Sequence, residues 1–118
     1  MTNKQRGELE HTFKNNKKII LDPTFERIAK VESNLGRSLM QLANEIGQQR
    51  LSFYDTAVLL STLSKPNPKR PTVDEVGKLL TEHGLLSVAP LLQGLIEKVL
   101  TGGRIVDDDD VDPPQGAN

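Results

Sequence analysis

The first third of the chain places the tightest limit on its fold: two short alternating segments lead straight into a helix with its own start and stop signals. Leu9, His11 and Phe13 recur at every second residue, as do Ile19 and Leu21, so each set falls on one face of an extended strand. Between them Asn15-Asn16 supplies residue types that tolerate positive φ, as a tight hairpin turn requires. Asp22 is expected to cap a helix whose first position is Pro23, where a missing N–H is no loss. Phe25, Ile28, Ala29, Glu32 and Leu35 keep helical spacing with Glu32 the polar interruption, and Gly36 stands where a left-handed residue ends a helix. This spacing predicts a hairpin–helix unit and no chemistry.

Downstream the pattern is helical throughout. A second helix is predicted over Arg37 to Gln48, with Leu39, Leu42, Ala43 and Ile46 on one face and Gly47 weakening its end. Ser52 and Asp55 read as a capping pair for a third helix over Phe53 to Leu63, whose apolar stripe is broad enough to be buried on more than one side. Three prolines between Lys65 and Pro71 exclude regular structure there. Thr72 and Glu75 form the T-x-x-E capping box of a fourth helix, closed by Gly84, with Val73, Val76, Leu79 and Leu80 as its apolar face. The last helix is expected to begin at Ser87, tolerate Pro90 in its first turn, and stop at Gly102-Gly103. Its apolar residues cover more than half its circumference, so it is either central to the core or covered by a partner, and for a chain this small the core is preferred. The fold class expected is α+β, mostly α: an N-terminal β-hairpin, then about five short helices in a single domain over 1–103, then a disordered acidic tail over 104–118.

Composition narrows the function. The chain has three Phe, one Tyr and no Trp, so its core must be aliphatic. It has no cysteine, hence neither disulfide nor thiolate chemistry. No signal peptide and no membrane span are expected, and a cytoplasmic location follows as the expectation. A net charge of −1 hides an asymmetry: 14 Lys and Arg against 11 Asp and Glu over residues 1–100, but one Arg against five Asp over 101–118. A body near +3 is too weakly basic to argue for nucleic acid.

Each polar motif has a plain reading. Asp107 to Asp110 and Asp112 lack the spaced oxygens, the turn glycine and the closing Glu of a calcium loop, so they read as a solvated tail that shields the body or keeps it soluble. No metal or other cofactor is expected. His11 in a strand and His83 in a last helical turn have no nucleophile or orienting carboxylate at a catalytic spacing, and structural roles are preferred. Lys14, Lys17 and Lys18 flank the hairpin turn, and Lys65, Lys69 and Arg70 sit in the proline loop. They offer a basic patch, but without stacking aromatics a nucleic-acid role is disfavoured. No catalytic set can be assembled, so an enzyme is not expected. An isolated hairpin is marginal in water and must pack on helices, pair with a copy of itself, or accept a partner strand.

Several of these segments together resemble a known family. Asn3, Arg6-Gly7-Glu8, Pro23-Thr24-Phe25-Glu26, Ile28, Glu32, Leu35-Gly36 and Ser38-Leu39, followed by Val73-Asp74-Glu75-Val76-Gly77 and the apolar run Leu91 to Leu100, are similar in order and spacing to the small tail assembly chaperones of tailed phages, in the version carried by gene transfer agents. The resemblance extends to residue 100 and leaves out the tail. An Asp-Gly turn would be more usual than Asn15-Asn16, and Asp22 stands where a basic residue is expected. The resemblance implies a non-enzymatic protein that holds the long tape measure protein soluble before the tail tube polymerises around it. The expected partner is the tape measure protein, with homo-oligomer formation through the hairpin edge as a further possibility. The candidate contact helices are Phe53–Leu63 and Val88–Leu100, and the candidate partner-binding residues are Phe53, Leu60, Leu92, Ile96 and Val99. A structural, tube-type tail component is the alternative in the same class, and a small nucleic-acid-binding regulator the alternative from another.

Overall fold

The alternation at the start of the chain forms an antiparallel hairpin, β1 (Leu9–Thr12) and β2 (Lys18–Leu21), in which Leu9 faces Leu21 and His11 faces Ile19. Five α-helices follow, α1 (Phe25–Leu35), α2 (Leu39–Gly47), α3 (Phe53–Leu63), α4 (Val73–His83) and α5 (Ala89–Thr101), with a 3₁₀ turn (Leu85–Val88) before the last; the hairpin buries Leu9, Phe13, Ile19 and Leu21, with β1 against α5 and β2 against α3. The computed structural model describes residues 8–66 and 69–102. The acidic tail expected over 104–118 lies outside the described residues.

Local signals set most of the boundaries. Ser38 with Gln41 and Thr72 with Glu75 form reciprocal capping boxes at the starts of α2 and α4. The Ser52 hydroxyl accepts the Asp55 N–H at 3.0 Å, as expected at the start of α3. The Asp55 carboxylate does not complete a box there. It pairs instead with Arg37 at 2.7 Å, and Arg37 also holds Glu45 at 2.9 Å, tying α2 to α3. Gly36 and Gly102 end α1 and α5 at φ 68° and 86°.

The turn between the strands falls at Asn15-Asn16 as expected, with Asn16 at positive φ, 70°, and its N–H bonded to the Phe13 carbonyl at 2.9 Å. Three expectations are corrected. The cap of α1 is Thr24, whose hydroxyl accepts the Arg27 N–H, and Pro23 precedes the helix. Asp22 is engaged elsewhere: its N–H donates to the Leu63 carbonyl at 2.9 Å and its carboxylate meets Arg27 at 3.2 Å. The buried side of α1 is Val31 with Ile28 and Leu35 packed beside it, while Phe25 is 84% exposed. Finally, the Ser87 hydroxyl bonds back to the Gly84 carbonyl at 2.6 Å, which closes the 3₁₀ turn and delays α5 to Ala89.

The core is a single cluster that draws on both strands and all five helices. α3 is its axis. Every residue from Thr56 to Leu63 is buried, because α1 and α4 pack on it from different sides and β2 meets its end. Buried hydroxyls on this helix are satisfied locally: Thr56 donates to the Ser52 carbonyl, Ser64 to Leu60, and Ser61 to Pro71 across the loop. Among the described residues no single helix is long and apolar enough to cross a membrane. α4 and the 3₁₀ turn with α5 reach that length only together, and they are bent by 111°.

Candidate functional site

The five candidate partner-binding residues separate by depth. Leu60 is fully buried and Leu92 is 8% exposed, so both are core residues and not contact surface. The reason is tertiary: α3 is covered on both flanks, and α5 lies against β1 and α2 with Leu91, Leu92 and Leu95 inward. Ile96 and Val99 are half-buried at the margin of α5. Phe53 is 47% exposed at the start of α3 and opens onto a concave surface.

That surface is a shallow groove of about 420 Å³ between α3 and α4. Phe53, Tyr54 and Ala57 line it from α3; Val73, Gly77 and Thr81 line it from α4, with Asp74 and Lys78 at the rim. Tyr54, 67% exposed, was not singled out by the sequence as a contact. Gly77 is informative. A glycine inside a helix costs about 0.5–1 kcal/mol relative to alanine, yet a Cβ added here would meet nothing within 4 Å. The fold itself does not need a glycine at this place, and its absent side chain leaves the α4 wall of the groove open to an approaching backbone or side chain.

The hairpin edge, the second candidate surface, is partly taken. Ser64 bridges to Leu21, and the Lys65 N–H donates to the Ile20 carbonyl at 2.7 Å. The start of the proline loop thus adds a short third segment beside β2, occupying that edge from Ile20 to Asp22. The Lys65 ammonium then reaches the wholly buried Glu8 at 2.9 Å, fastening the loop to the head of β1. The apolar residues of β2 announce a strand, but Ser64-Lys65 carries no β pattern that would announce this pairing.

The two lysine groups meet. Lys17, Lys18, Lys65 and Lys69 line one cleft of about 850 Å³ between the hairpin, the proline loop and α4, and Lys78 joins them from α4. Lys14 and Arg70 are not part of its lining. Glu75 and Glu82 are its carboxylates. The hydrogen bond from the Thr72 N–H, at 2.8 Å, holds the Glu75 carboxyl below its usual range; burial opposes this, while Lys69 and Lys17 add to it.

Phe13 sits between the two histidines, 4.6 Å from the His11 ring edge-on and 5.0 Å from His83. This stack fastens the hairpin to the last turn of α4. Burial lowers the His11 pKa, and the nearby His83 lowers it further. Among the described residues no group of three or more His, Asp or Glu is placed to hold a metal ion. No protein-family model, curated protein or solved structure matches this chain.

Proposed function

We propose that this chain is a non-enzymatic tail assembly chaperone of the phage and gene-transfer-agent type, which takes helical segments of the tape measure protein into the α3–α4 groove in the cytoplasm of the producing cell. The observation that carries the reading is the groove itself, with exposed Phe53 and Tyr54 on one wall and the open Gly77 on the other. Val73, Asp74 and Gly77 of that second wall belong to the Val73–Gly77 segment on which the family resemblance rests. A tape measure is a long helical chain whose apolar stripes aggregate when uncovered, and an apolar groove accepts such a stripe through side chains three and four residues apart.

Magnitude fits a transient role. Covering the exposed parts of Phe53 and Tyr54 removes on the order of 200 Å² of surface, worth about 5 kcal/mol before association costs. Those costs consume much of it, so each site is weak and holding a long client takes many copies. The tube-type alternative asks for a continuous sheet wall, whereas the described sheet is a two-stranded hairpin with one further bridge.

The test is coexpression with the tape measure protein. Wild type is expected to convert that insoluble chain into a soluble complex containing several copies of this one. Gly77→Leu adds its Cβ in open space on a residue that lines the groove and improves helix propensity, so it should abolish rescue while leaving the thermal midpoint unchanged or raised. Tyr54→Asp should weaken rescue in the same way. Failure of the wild type to solubilise the tape measure protein at any ratio overturns the proposal, and rescue undiminished by Gly77→Leu removes the groove from it.

A further inference from the structure

The lysine cleft meets the α3–α4 groove only at Lys78, which lines both, and its other lysines have no part in the groove reading. Lys17, Lys69 and Lys78 come from three separate segments: the hairpin loop, the proline loop and α4. All three are exposed, and none has a carboxylate within ion-pair distance among the described residues, whereas Lys18 and Lys65 are held by Glu10 and Glu8. The cleft's two carboxylates, Glu75 and Glu82, offset part of this charge, and Glu75 interacts with both Lys69 and Lys17, but the lysines outnumber them. The cleft therefore keeps a positive excess on a concave wall, where charges reinforce one another and attract anions.

We infer that the occupant of this cleft is the chain's own acidic segment, Asp107 to Asp112, held there by salt-sensitive contacts with Lys17, Lys69 and Lys78. Charge complementarity is one argument: five aspartates within six residues carry the opposite excess to that of the cleft. Reach is the other. Asp107 lies five residues and Asp112 ten residues beyond Gly102, where α5 ends, which allows spans of about 17 and 34 Å. These spans are of the same order as the extents of the molecule, 45, 31 and 25 Å. Tethering gives it an effective concentration in the mM range, sufficient for contacts that would be too weak between separate molecules. A docked segment excludes other anions from the cleft.

The experiment uses full-length isotopically labelled protein and a full-length variant carrying Asp107→Asn, Asp108→Asn, Asp109→Asn, Asp110→Asn and Asp112→Asn. In low salt the amide resonances that differ between the two are expected to cluster around Lys17, Lys69 and Lys78, and the differences should collapse in about 0.5 M salt, where screening is complete within a few ångströms. Spectra that superimpose on the body, or differences confined to another face, overturn the inference. A free hexa-aspartate peptide should bind the variant about tenfold more tightly than wild type. Changing Lys17, Lys69 and Lys78 together to Gln should abolish that binding. Equal binding of the peptide, or of a thymidine decamer, to wild type and variant means the cleft stands open to partners in trans, which also overturns it.

Discussion

Replacing Leu60 by alanine tests the placement of α3 more sharply than any other single change. Leu60 is fully buried, flanked within α3 by Leu59 and Ser61, which are buried as well, and covered by helices packed on different sides of α3. Deleting a buried leucine to alanine costs about 2–5 kcal/mol, rising as the surroundings fail to collapse into the space. A helix covered on both flanks has little freedom to close that gap, so we expect about 3–4 kcal/mol. For a domain of this size that lowers the thermal midpoint by roughly 15–25 °C. Phe53→Ala is the control. About half of its ~200 Å² is buried, so its loss should be about 2 kcal/mol. The assay is urea unfolding followed by circular dichroism, with the midpoints compared at unchanged m, so that the difference reports stability and not a change in the unfolded state. A loss below about 1 kcal/mol for Leu60→Ala, or one no larger than that for Phe53→Ala, would refute the burial of Leu60 and return it to the contact surface.

Thr72→Ala removes the hydroxyl that receives the Glu75 N–H at 3.1 Å and should lower stability by about 1 kcal/mol in the same denaturant assay. Asn16 has φ 70°, so Asn16→Val should cost about 1–2 kcal/mol while Asn16→Gly is neutral or stabilising; equal effects would mean the loop adopts another turn. Folding lowers the His11 pKa through burial and then through His83, so the unfolded chain takes up its proton at a higher pH than the folded one. The stabilising contribution is complete above 6.5 and is lost as pH falls from there through the lowered folded value. The thermal midpoint should accordingly rise between pH 5 and 7, and His11→Gln should flatten the rise; an identical profile in that variant would remove His11 as its source.

The elements themselves were legible because their signals are local. Alternation at Leu9, His11 and Phe13, the Thr72–Glu75 box and the left-handed Gly36 each act within a few residues, and each acts where the sequence places it. Where two local candidates competed, tertiary contacts chose between them: Asp22 was a plausible cap for α1 until the Leu63 carbonyl and Arg27 engaged it, leaving the role to Thr24. Burial was the larger uncertainty. Periodicity marks the apolar stripe on α3 and α5 but is silent on whether a neighbouring helix or a partner covers it, so Leu60 and Leu92 looked the same as Phe53 in the sequence and differ only once α1, α4 and β1 are in place. The groove needs two helices side by side, and the lysine cleft needs the hairpin set against the proline loop and α4 much further along the chain, so neither leaves a pattern within any one stretch of residues. Short-range hydrogen bonding and side-chain alternation are written residue by residue; depth and concavity arise only when separate segments meet.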